Sequence, residues 1–139
     1  MQESQFIYLL LLVLLLSCTT QKTEKIDVMH LNDIWALESI EGEKIVLDKN
    51  IKNLPNIEVY IEDKRVYGNT GCNSFNGKVN IDDNKITFSE IIATEMACPG
   101  NLEQSFLSSI QSIDNYKIEK LRLILLEGDV ERMVFRKID

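Results

Sequence analysis

Three absences narrow what this 139-residue chain is: it has one histidine, no basic residue before its first apolar run, and no apolar run long enough to span a bilayer. His30, the lone histidine, lies in the mostly polar stretch "TTQKTEKIDVMHLND", where a solvated side chain is the expectation. The region beyond it has no histidine to serve as base to a Ser or Cys nucleophile. Carboxylates are plentiful, but Glu58 and Glu62 alternate onto a solvent face and Asp82 and Asp83 fit a turn, so no catalytic residue is assigned. A net charge of −7 and a pI near 4.8 exclude a nucleic-acid partner, which needs a basic surface to release counterions. Zinc needs about four Cys, His or carboxylate ligands; with Cys18 lipidated only Cys72 and Cys98 remain and the domain has no histidine, so neither metal nor cofactor is expected.

What is present begins with "FIYLLLLVLLL", Phe6 to Leu16, 11 apolar residues without a charge. As a helix this covers roughly 16 Å, about half a bilayer core, which suits the hydrophobic segment of a secretory signal. The following "LLSC" resembles the bacterial lipobox, in which Cys18 takes a diacylglyceryl group and becomes the first residue. The leading "MQESQ" departs from the pattern, because Glu3 offsets the α-amino group and no lysine or arginine supports it. Cleavage before Cys18 removes only Glu3 among the charged residues, leaving 15 basic residues against one fewer than the original 22 acidic ones, a net charge of −6. Thr19, rather than Asp, follows the cysteine, so the retention rule of enterobacterial inner-membrane lipoproteins does not apply. The reading is a lipid-anchored protein of the bacterial cell envelope, outer membrane favoured, with the membrane face open. It divides the chain into a signal at 1–17, a lipidated cysteine and flexible tether at 18–33, and a folded domain at 34–139.

The domain reads as short strands and one helix. "WALESI" and "KIVL" flank a turn at Glu41-Gly42. "NIEVYIE" alternates cleanly, with Ile57, Val59 and Ile61 on one face and Glu58, Tyr60 and Glu62 on the other. "RVYGN" returns, and "KVNI" and "KITF" make a hairpin across Asp82-Asp83-Asn84. A last hairpin joins "KLRLILLE" to "VERMVFRK". Between them Leu102, Phe106, Leu107, Ile110 and Ile113 form a helical stripe, with Asn101 and Gln104 spaced as a capping box. The expected fold is therefore mainly β (α+β). It is an antiparallel, strongly bent sheet or small lipocalin-like barrel, with one packed helix near 101–114 plugging one end.

The run "GNTGCNSFNGK", 68 to 78, fails as a phosphate loop, because Gly77-Lys78 is followed by Val79 and by a strand rather than a helix. Its glycines and asparagines reach left-handed angles cheaply, so the chain reverses or bulges twice here. Cys72 and Cys98 remain after lipidation of Cys18; export favours joining them, at about 3.5 kcal/mol in the chain-entropy model, over two separate buried thiols. Phe75 within the run either contacts a partner or folds inward as a core plug.

"GCNSFNG" followed by "ITFSEIIATEMACP" resembles the core of the META/HslJ domain family. The matching residues are Gly71, Cys72, Asn73, Gly77, Phe88, Thr94, Met96, Ala97, Cys98 and Pro99; Trp35 and "RMVFRK" resemble the family's opening and closing strands, and Val79 departs from its usual aromatic. The resemblance implies a β-rich envelope domain related in outline to lipocalin-like barrels, in an accessory or stress-related role, and implies no reaction. The expected function is non-enzymatic binding. Its alternatives are a carrier of a small apolar ligand inside the barrel, or an inhibitor that an acidic surface steers to a basic lytic enzyme.

Overall fold

The computed structural model describes residues 28–47, 49, 51 and 53–138; Cys18, the signal and most of the tether lie outside the described residues. The strands are β1 (Ile34–Ile40), β2 (Glu43–Lys44), β3 (Asn56–Tyr60), β4 (Arg65–Asn69), β5 (Ser74–Asp82), β6 (Lys85–Ala93), β7 (Asn115–Glu119), β8 (Arg122–Glu127) and β9 (Val130–Lys137). Helix α1 (Leu102–Ser112) stands between β6 and β7. All strand pairs are antiparallel, and an added β1–β9 pairing bends the sheet into a ring. This is the mainly β, strongly bent architecture the alternation predicts.

β1 organises the closure. One of its edges pairs with β9 from Trp35 to Ile40, while the other is shared by β3 at Ile34 to Ala36 and β2 at Ser39 and Ile40. An ion pair between Lys137 Nζ and Asp33 Oδ2, 2.6 Å apart, joins the two ends of the folded chain. At the other junction β6 and β7 pair only through Lys85 and Asn115, and α1 packs against β6, β1 and β9 beside that gap.

The interior is filled. Trp35, Leu37, Ile57, Val66, Ile86, Leu123, Leu125 and Met133 are buried there. The Phe106 ring, fully buried on α1, lies 5.5 Å from Phe75 and 6.4 Å from Phe135 between ring centroids. The helix therefore does plug the ring. Among the described residues, side chains rather than open space occupy this part of the interior.

Four local expectations are corrected. Folded structure starts before residue 34: Val28–Leu31 form a 3-10 turn, and Leu31 is buried, its carbonyl accepting a hydrogen bond from Trp35 Nε1 at 3.1 Å. "KIVL" stays on β1 only through Lys44 and the Ile45 N–H, which donates to the Glu38 carbonyl at 2.9 Å; beyond that, Leu37 N–H donates to the Pro55 carbonyl as β3 takes over the shared edge. α1 stops at Ser112, since Ile113 turns to an extended backbone while staying buried, and Asn115–Glu119 becomes β7. Asn101 makes no side-chain cap: its φ of −118° and ψ of 4° miss the extended geometry that aims a capping oxygen at the helix.

Candidate functional site

The run around Cys72 reverses once and faces a bulge once. Gly71, with φ +95°, turns the chain between β4 and β5. Gly77 faces an extra residue in β6, where Glu90 has φ 52° and the register slips between Asn76 and Lys78. A Cβ on Gly77 would sit 2.9 Å from the Ser89 carbonyl oxygen as well as 2.4 Å from Ile91 Cδ1, so glycine suits the close approach of β6 at the bulge.

Asn73 is the hub of this region and is fully buried. Its Oδ1 accepts from Thr94 Oγ1 at 2.7 Å and from the Met96 N–H at 2.9 Å. Its amide group points among the Met96 carbonyl at 3.0 Å, the two Glu103 oxygens at 3.0 and 2.9 Å, and Cys98 Sγ at 3.0 Å. Thr70 Oγ1 donates to Glu103 Oε2 at 2.6 Å and accepts from the Asn73 N–H at 3.0 Å. The Cys72–Cys98 disulfide closes the same knot, with Cα atoms 5.9 Å apart. One side chain thus ties the β4–β5 turn, the 94–98 loop and the first turn of α1 together.

This geometry decides what the motif does. The ligand atoms of Cys72, Cys98 and Glu103 lie within 4.8 Å of one another, but the two sulfurs are bonded to each other and offer no thiolate. The Glu103 carboxylate is engaged by Thr70 and Asn73. Of the ten motif residues, Gly71, Cys72, Asn73, Thr94 and Cys98 shape the knot, Gly77 serves the bulge, and Phe88 is buried in the core. Met96 contributes its backbone to the knot and shows its side chain, 61% exposed, to solvent beside exposed Ala97 and Pro99.

Of the two expectations for Phe75, the structure takes the core plug and not the partner contact. It belongs to the inward set of β5 with Asn73, Gly77 and Val79, and its ring packs on Phe106. The exposed residues are its outward neighbours. Glu58, Tyr67, Asn76 and Ile92 lie in register across β3, β4, β5 and β6. Arg65 stacks its guanidinium 5.7 Å from the Tyr67 ring centroid and donates to Asn76 Oδ1 at 2.8 Å. Tyr60 packs edge-on against Tyr67 at 5.7 Å, and its hydroxyl donates to Glu58, which raises the Tyr60 pKa above its ordinary value. Alternation put Tyr60 outward, and the same rule applied to "RVYGN" would have found Tyr67; the Glu90 bulge hides which of Ile91 and Ile92 faces solvent.

The META domain family model matches residues 28–139, the whole described fold. The chain belongs to the META domain family. The match begins at Val28, the first of the described residues. No curated protein matches this META domain protein. Among solved structures it is similar to a protein from Burkholderia xenovorans, at TM-score 0.61 and 18% identity over 77% of this chain and 82% of that one. It is also similar to a DUF4847 family protein from Bacteroides vulgatus, at TM-score 0.57 and 14% identity over 78% and 96% of the two chains. At such identities the likeness speaks for the fold alone. No helix among the described residues is long and apolar enough to cross a membrane.

Proposed function

We propose that this META domain protein is a lipid-anchored, non-enzymatic accessory protein of the bacterial envelope that works by contact, offering the outer face of β3 to β6 to a protein partner. Family membership supports the accessory role at the level of the family. The lipobox-like "LLSC" supports the anchor at Cys18. The observation that carries the contact reading is the outward row from Glu58 to Ile92: Tyr67 is 43% and Ile92 67% exposed, Glu58 and Asn76 are half-buried between them, and Arg65 holds the tyrosine in place. Preorganised tyrosine and arginine are the side chains that dominate contact energies. A net charge of −6 after processing favours a basic partner, lytic enzymes of the cell wall among them.

A photo-cross-linker at Tyr67 in the full chain tests this. The expected result is a discrete adduct in envelope preparations that excess wild-type protein competes away and the Y67A protein does not. An equal adduct yield from a cross-linker at Leu121, outside the row, would overturn it. For the anchor, Cys18→Ser should abolish fatty-acid labelling and release the protein from membranes; retention counts against lipidation.

A further inference from the structure

We propose that the outer face of β1, β8 and β9 is a docking surface for a second copy of this chain. It lies across the ring from the tyrosine row, since β8 and β9 stand opposite β4 and β5 in the strand order. A groove of about 610 Å³ opens there, floored by the cross-strand pair Ile124 and Val134 with Ile45 and Leu54 beside them. At its mouth the chain that leaves β2 early presents Val46, 70% exposed. An apolar knob and a groove with an apolar floor and a charged rim therefore sit side by side on one face. A two-fold axis between two copies puts each knob into the other's groove, the arrangement a self-complementary interface requires.

The charges select the occupant. The groove is lined by three acids, Glu38, Glu119 and Glu131, and three bases, Lys44, Arg122 and Arg136. Within one copy Arg122 pairs with Glu38 at 2.6 Å and Glu119 with Lys117 at 3.1 Å. Lys44, Glu131 and Arg136 have no ion pair among the described residues. Two copies of a strongly acidic chain repel over most of their surface, and this balanced rim is a place where they meet without that cost. The Glu131 of each copy then faces Arg136 or Lys44 of the other. Mixed signs suit neither a free anion nor an anionic lipid surface.

The test uses two differently tagged full-length chains made in the same cells, one carrying Val46→Cys and the other Val134→Cys, treated with a short bis-maleimide in isolated membranes. A product bearing both tags is expected, and a pair carrying Asn80→Cys on the opposite side should give none. Arg136→Glu should lower the yield about tenfold, and adding Glu131→Arg to the same chain should restore it. No product above the Asn80 pair, no effect of Arg136→Glu, or cross-linking of Val134→Cys to a different protein overturns the proposal. Should either cysteine variant misfold, sedimentation of the wild-type chain in detergent decides: one copy per micelle at every concentration rejects it.

Discussion

Replacing Asn73 by alanine removes the acceptor for Thr94 and Met96 and the donor for Met96 and Glu103. Each neutral bond is worth about 1 kcal/mol net and each bond to a charged group about 1.5–3. Exposed Thr94 and half-buried Glu103 regain water, so we expect a loss of about 3 kcal/mol, a large share of the roughly 5–15 available to a domain. In urea this lowers the midpoint by roughly 2 M at an unchanged slope. Asn76→Ala, which gives up only the Arg65 contact, should shift it by less than about 0.5 M. Asn73→Asp sharpens the test, because it sets a second carboxylate against Glu103. Like charges make the folded site hold a proton more tightly than the unfolded chain does, so stability must rise as pH falls from about 8 to about 4. An alanine variant within about 0.3 M of wild type, or an aspartate variant whose deficit does not shrink on acidification, refutes the assignment of Asn73 as the hub.

Reducing or deleting the Cys72–Cys98 bridge should lower stability by about 3.5 kcal/mol, read as a reductant-dependent melting temperature, and the paired-serine variant should no longer respond to reductant. Phe106→Ala should lose about 3–5 kcal/mol in denaturant melts, because the ring fills the space between Phe75 and Phe135. Burial, and behind it the charge of Asp83, raises the Tyr116 phenol above its ordinary value of 10.0. The folded chain then keeps that proton after the unfolded chain has lost it, so the contribution is full below about pH 10 and disappears as pH climbs through the folded value. Tyr116→Phe should flatten that alkaline decline; an unchanged slope would exclude the group.

The strands were legible wherever one face alone is buried. "NIEVYIE" and "RVYGN" show strict alternation, and their inward residues Ile57, Val59 and Val66 are buried. β5 obscured its pattern, because its inward set runs Asn73, Phe75, Gly77, Val79 and only two of those four are apolar. Phe75 therefore looked like a lone aromatic in a turn. The end of α1 was hidden for the opposite reason: Ile113 is buried either as the next helical position or as the first extended one. "KIVL" has strand composition, but the edge it would occupy goes to β3, a competition that no local pattern encodes. Of the motif, the sulfur pairing and the turn could be inferred from residue types. The role of Asn73 could not, since its side-chain partners come from the 94–98 loop and the first turn of α1, 21 to 30 positions away.

Trp35 near the start of the domain stands in register with Lys137 near its end. The first strand to emerge during synthesis thus waits for the last one before it gains its longest partner. Most other neighbours are consecutive hairpins that form without delay, whereas the circumference stays open until the terminal residues arrive. A chain stalled or clipped ahead of β9 leaves β1 with a bare flank, an invitation to clump with its own kind and a mark by which quality control distinguishes unfinished copies from complete ones.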